Sequence, residues 1–163
     1  MLESSLTVIV TVISGVIVYV LTELLKEIWL EPLRKYRLIK SEIAENLIYY
    51  ANMYSNPIRQ EEAKNEVRKA EYIKASEQIR VSPSKLGGYM ETISWFHPGV
   101  PGKKKLREAY SELIGLSNSF FITSSDSDIY LRNGEYVGNI KINLRLFGAY
   151  ANKNVHRRKD ENR

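Results

Sequence analysis

The chain has 163 residues with a formal net charge of +5, a length that suits one compact domain beside a membrane anchor. It contains no cysteine, which excludes disulfides, thiolate metal sites and a cysteine nucleophile. Its two histidines, His97 and His156, lie far apart, and the second is in a very polar tail. We therefore expect no metal and no cofactor.

The first predicted element is a membrane anchor. Residues 6–22 form an uncharged apolar run, and residues 23–25 extend it close to the ~30 Å of a bilayer core. A cleaved signal peptide is the rival interpretation, but the leading MLESS carries no Lys or Arg and no small-residue cleavage site follows the run. We predict a transmembrane anchor over residues 1–31.

The charges beside the anchor predict its orientation. Only Glu3 precedes the apolar run, whereas Lys26 and several further cations follow it. Because Lys- and Arg-rich flanks stay in the cytoplasm, we expect the N-terminus outside a bacterial inner membrane and the body inside. The predicted contacts with the anionic lipid surface are Trp29, Arg34, Lys35, Arg37 and Lys40. For Trp29, packing on the soluble domain is an equal alternative.

One face of the anchor is small and hydroxylated. It is formed by Thr7, Thr11, Ser14, Gly15 and Thr22. Small residues let membrane helices approach closely, so this stripe predicts association of anchors into a homo-oligomer. In the alternative, the hydroxyls donate to carbonyls one turn earlier in their own helix and need no partner.

Residues 32–150 are predicted to be a small cytoplasmic helical bundle. Pro32 should end or kink the anchor helix, and apolar residues at spacings of three and four then predict helices over 33–56, 60–80 and 106–120. Asn56-Pro57 should stop the first of these, and Gly115 should mark a close helix–helix approach. The fold class is thus mainly α.

Residues 82–105 hold three of the five prolines and four of the nine glycines, which predicts an irregular loop. Its apolar and aromatic residues either cap the core, the favoured interpretation, or dip into the membrane surface: Tyr89, Ile93, Trp95 and Phe96. Residues 129–147 fit both strand and helix periods, and helix is favoured because a lone strand would have no partner. Residues 151–163 should be a disordered basic tail.

Three blocks of the sequence resemble those of a family of small bacterial single-pass membrane proteins. They are IWLEPL at 28–33, EIAENLIYYANMYSNP at 42–57 and LIGLSNS at 113–119. The resemblance covers most of the chain up to Asn118 and thins out after it. It implies one anchor followed by a helical body, and it implies no activity and no catalytic residue. Members often have a shorter loop where this chain has residues 82–105.

The sequence carries no pattern typical of an enzyme. Phosphate-loop, dinucleotide and zinc motifs are absent from it, and its glutamate runs are typical of solvated helix faces. Four polar residues in the family-like blocks could line a ligand site, but they more simply satisfy helix ends: Asn52, Asn56, Asn118 and Ser119. The basic clusters at 34–37, 103–105 and 157–159 favour an anionic lipid surface over nucleic acid.

Two functions fit these features. The favoured one is a membrane-tethered interaction module that binds a protein partner without catalysis. The alternative is an effector of a defence or toxin system that self-assembles through the hydroxylated stripe and permeabilises the membrane. A pore requires a continuous polar face, and this stripe is broken by Val18.

Overall fold

The computed structural model describes residues 2–59, 65–93, 97–122 and 128–146. Within these ranges the chain is mainly helical, as predicted. The helices are α1 (Leu2–Leu25), α2 (Glu31–Tyr49), α3 (Ala51–Ser55), α4 (Glu66–Thr92), α5 (Lys103–Asn118) and α6 (Ile129–Asn143), with a π turn at Lys26–Leu30. Two short strands, β1 (Ile58–Arg59) and β2 (Phe121–Ile122), pair in parallel.

Of the two outcomes expected at Pro32, an end or a kink of the anchor helix, the end does not occur. α1, the π turn and α2 form one continuous helical run. A proline ring collides with the carbonyl four residues earlier in a regular α-helix, and the wider π turn lies just before Pro32. The Glu31 amide accordingly donates to the carbonyl of Lys26, five residues back.

The helical body comprises α2 to α6. α2 buries Tyr36, Ile43 and Leu47, three members of the stripe that predicted it. The helical pattern is interrupted at Tyr50 and resumes in the short α3, which ends before Asn56-Pro57 as expected. α4 runs antiparallel to α2, since Tyr89 near its end bonds to Pro32 while Ser82 bonds to Asn46.

α4 is the main departure from the sequence prediction. The side chain of Asn65 caps it by accepting from the amides of Val67 and Arg68, and the helix then continues twelve residues past the predicted end at Arg80. Pro83 inside a helix costs about 3 kcal/mol, but burial of an aliphatic side chain contributes about 1.5 to 3 kcal/mol. Ile79 and Leu86 on either side of it are almost completely buried.

The irregular connection is therefore shorter than predicted. Residues 82–92 belong to α4 and residues 103–105 to α5, so the described connection is confined to residues 93 and 97–102. Tyr89 and Ile93 are buried in the core, as the core-capping interpretation expected. Trp95 and Phe96 lie outside the described residues.

α5 and α6 complete the bundle. α5 begins three residues earlier and ends two residues earlier than predicted, and α6 confirms the helical interpretation of the ambiguous segment. Gly115 marks a close helix approach, as predicted, because a Cβ there would lie 2.8 Å from Cζ of Tyr136. Residues 147–163, which include the predicted tail, lie outside the described residues.

Candidate membrane and partner surfaces

α1 presents its apolar side chains to the surroundings. The run that begins at Thr7 is long and apolar enough to span a membrane, and none of its apolar window is buried. A core helix of a soluble domain would instead be mostly buried. The sequence prediction of one long apolar N-terminal helix is confirmed.

The hydroxyl groups of α1 bond within their own helix. Thr11 Oγ1 donates to the carbonyl of Thr7 at 2.9 Å, and Ser14 Oγ donates to that of Thr11 at 2.9 Å. Thr22 Oγ1 donates to the carbonyl of Val18 at 2.7 Å. These bonds follow the alternative in which the hydroxyls need no partner. Gly15 leaves a notch beside them, since no atom lies within 4 Å of a Cβ placed there.

The residues just after α1 are exposed. Trp29 lies in the π turn with 55% of its surface accessible, so its ring does not pack in the core of the body. Arg34, Lys35 and Arg37 are exposed on the first turns of α2, and Lys40 is half-buried. These positions are compatible with the predicted lipid contact.

The start of α5 lies at the same end of the body as the anchor. Gly99, whose φ of +88° suits glycine, sits where an added Cβ would be 3.2 Å from Cδ1 of Leu33. The Tyr89 hydroxyl donates to the carbonyl of Pro32 at 3.0 Å. The last turn of α4 and the connection that follows it are thus held against the first turn of α2. Residues 103–105, three exposed lysines, follow directly.

The end of α6 reaches the same place. The Tyr36 hydroxyl donates to the carbonyl of Leu144 at 2.8 Å, and burial raises the pKa of Tyr36 while the charge of Arg145 opposes the rise. Arg145 has a φ of +53° and is exposed. The Leu146 amide donates to the carbonyl of Lys141 at 2.8 Å, which closes the helix end.

The fold therefore brings cations from α2, α5 and α6 to one end of the body, here called the basic end. Its members are Arg34, Lys35, Arg37, Lys103, Lys104, Lys105, Arg107 and Arg145, all exposed. Sequence reasoning identified the α2 and lysine clusters separately. It missed Arg145, because a cation after a helix gives no signal of which end of a bundle it will occupy.

The opposite end, here called the apolar tip, carries exposed hydrophobic residues. Asn133 Nδ2 donates to the carbonyl of Tyr54 at 2.7 Å, which holds the start of α6 against α3. The Ile58 amide donates to the carbonyl of Phe120 at 3.1 Å, which joins β1 to the chain just before β2. The exposed members are Ile48, Tyr49, Phe121, Tyr130 and Leu131. Leu131 has 70% of its surface accessible.

The polar residues of the family-like blocks have separate hydrogen-bond partners. Asn56 Nδ2 donates to the carbonyl of Asn52 at 3.1 Å, and Ser119 Oγ to that of Leu116 at 2.8 Å. Asn118 accepts from the Arg80 guanidinium. These partners are different for each residue, so the bonds do not assemble one ligand site. Among the described residues, no group of three His, Asp or Glu side chains could hold a metal ion.

Comparison of the chain with known protein families, with curated proteins and with solved structures gives no match.

Proposed function

We propose that the chain is a membrane-tethered interaction module, in which α1 spans a bacterial inner membrane and the helical body binds a protein partner on the cytoplasmic face. One observation carries the proposal. A single continuous helical run is apolar and unburied in its first half and provides core side chains of the body in its second. The body is thus joined to the anchor by helix and not by a flexible linker.

The bilayer accounts for the surface of α1. A contiguous exposed apolar patch of this length is unusual on a soluble protein, and in lipid its backbone groups are already satisfied by the helix. The cations after α1 favour a cytoplasmic body. The proposed module is non-enzymatic, and the separate partners of Asn56, Asn118 and Ser119 support this because they do not form one site.

The apolar tip is the proposed surface for the protein partner. It lies at the end of the body away from the anchor, where a partner could reach it from the cytoplasm. Exposed aromatic and aliphatic side chains such as Tyr49 and Leu131 supply the apolar contacts that interface centres use.

Site-specific photo-crosslinking in cells tests this module. A photoreactive residue replacing Leu131 should yield a discrete crosslinked protein, whereas the same residue replacing exposed Gln78 on α4 should not. The Leu131 product should also fall when Tyr49→Ser is added in the same chain. A product of equal yield at Leu131 and Gln78, or none at Leu131, would contradict the proposed partner surface.

The permeabilising effector is the second candidate, and the open notch at Gly15 is the observation that favours it. If anchors assemble there, Gly15→Leu should separate the helices, while Ile17→Leu, about 200° round the helix, should be nearly neutral. Association is measured by a two-hybrid assay in membranes and leakage by dye entry. We expect any loss of association to leave membrane integrity unchanged, because Thr11 and Thr22 use their hydroxyl protons within α1.

A further inference from the structure

The basic end combines residues that are distant in the sequence. Its cations come from the first turns of α2, the first turns of α5 and the residue after the C-cap of α6. The fold unites them through Gly99 against Leu33 and through the Tyr36 hydroxyl on Leu144. This convergence cannot be read from any one of the clusters.

The basic end lies close to where lipid head groups would be. The apolar run ends at Leu25, and Pro32 follows seven residues later, about 10 Å along a helix. The head-group layer on each side of the hydrocarbon core is about 5 to 8 Å thick. Tyr89 and Gly99 hold the start of α5 against Pro32 and Leu33, so its lysines lie within about one Debye length of that layer.

Among the described residues, the cations of this end outnumber the carboxylates beside them. These carboxylates are Glu27, Glu31, Glu91 and Glu108. Lys26, Lys69 and Lys85, which form ion pairs with glutamates, lie outside the basic end. The basic end therefore presents a net positive surface toward the membrane.

We propose that the basic end binds the phosphate groups of anionic phospholipids in the leaflet from which α1 emerges, so that the body is docked against the membrane with its apolar tip away from it. The proposal depends on the anchor of the proposed function. It goes beyond the lipid contact expected of the separate clusters at 34–37 and 103–105, because it assigns both clusters, together with Arg107 and Arg145, to one surface. Each lysine near an anionic surface should strengthen docking about fivefold.

The test uses the full chain in lipid nanodiscs. Because the chain has no cysteine, Gly102→Cys carries a single spin label, and an added side chain meets no atom within 4 Å there. Ser55→Cys at the remote end is the matched control label. Paramagnetic relaxation by nickel-chelating lipid reports the distance of each label from the head groups.

Because the anchor and the body are one helical run, docking changes the tilt of that run in the bilayer. We expect the Gly102 label to lie at the head groups in nanodiscs that contain phosphatidylglycerol, and to tilt away in phosphatidylcholine alone or at 1 M salt, where the Debye length is about 3 Å. The Ser55 label should stay distant in all conditions. A Gly102 label whose position is the same in both lipids and at both salt concentrations overturns the proposal.

Charge reversal separates docking from folding. Lys104→Glu should weaken docking about 30-fold, because it removes one positive charge and adds one negative charge. A carboxylate in the first turn of α5 favours the helix, so a loss of docking cannot be assigned to unfolding. Lys74→Glu, the same change on an exposed residue of α4, should alter docking less than twofold. Equal effects of the two variants would refute the assignment to α5.

Two further outcomes also decide the proposal. If a single-stranded oligonucleotide binds the chain in phosphatidylcholine nanodiscs and Lys104→Glu abolishes that binding, the basic end is a nucleic-acid surface and the lipid proposal is wrong. If the chain is extracted from membranes by alkali, the anchor itself fails, and with it the proposed function. An inserted chain with an undocked Gly102 label contradicts this inference alone.

Discussion

Arg145 occupies a backbone conformation that normally favours glycine, and replacing it offers a quantitative test of the end of α6. Its φ is +53°, and its amide donates to the carbonyl of Ile142 at 3.2 Å while the next amide reaches Lys141. This is the position after a helix C-cap where glycine is usually found. A residue with a Cβ in this left-handed region costs about 1 to 2 kcal/mol.

Arg145→Gly should therefore stabilise the body. Relief of the backbone strain is offset by the greater freedom that glycine has in the unfolded chain, about 0.5 to 1 kcal/mol, which leaves a net gain centred on ~0.75 kcal/mol, between about 0 and 1.5 kcal/mol. For a domain of this size, the melting temperature should rise by about 2 to 4 °C. Thermal unfolding of the full chain in detergent micelles, followed by circular dichroism, measures the change.

Arg145→Ala is the matched control, because it removes the same charge and keeps the strained φ. We expect Arg145→Gly to be more stable than Arg145→Ala, and both to dock less well to anionic lipid than the natural chain. If the glycine variant melts no higher than the alanine variant, then the left-handed helix end and the reasoning built on it are wrong.

Three further changes test the packing, the protonation and the orientation. Gly115→Ala should unfold at a lower urea concentration than Gly134→Ala, because only the first places a methyl group 2.8 Å from Tyr136 Cζ. Overpacking lowers the free energy of unfolding by about 1 to 3 kcal/mol, while alanine at the open Gly134 raises it by about 0.5 to 1 kcal/mol. Burial raises the pKa of Tyr89 to about 12, so the stability that its protonated hydroxyl contributes should be complete below pH 10 and lost as the pH rises toward 12. Tyrosinate absorbance and helicity, followed against pH, measure this loss. A periplasm-active reporter joined after Arg163 should be silent and a cytoplasmic reporter active, and the reverse would overturn the predicted orientation.

The sequence predicted elements whose hydrophobic pattern was strong and local. The stripe of α2 placed Tyr36, Ile43 and Leu47 in the core, and the structure confirms it. In α2, local periodicity and tertiary packing favour the same structure. Residues 129–147 fit both periods, and helix is predicted there because a lone strand would have no partner, an interpretation that α6 confirms over Ile129–Asn143.

The predicted end of α4 at Arg80 was wrong because the local signals after it oppose the packing of the helix. Pro83 and the pair Gly87-Gly88 normally break helices, and the sequence offers no measure of what surrounds them. In the fold, Leu86 and Tyr89 are buried and Tyr110 lies against Gly87, 3.3 Å from where a Cβ would be. Tertiary burial outweighs the intrinsic cost, and the predicted loop shrinks accordingly.

The candidate surfaces were predictable only in part, and for a related reason. The cations next to the anchor follow from their distance along the chain, but Lys103 to Lys105 reach the same end only because α4 continues to Thr92 and returns the chain to Leu33. The hydroxyl partners of Tyr36 and Tyr89 are backbone carbonyls, which have no sequence signature.

The two ends of the body differ in a way that connects the two proposals. Cations gather at the end joined to α1, and exposed apolar side chains such as Leu131 gather at the other. Exposed hydrophobic residues near the anchor could be covered by lipid. Those at the apolar tip lie farther from the anchor by about the length of α2, roughly 28 Å. Docking of the basic end would hold the tip at that height above the leaflet. In this arrangement lipid would not cover the exposed side chains of the tip, and the proposed protein partner would bury them.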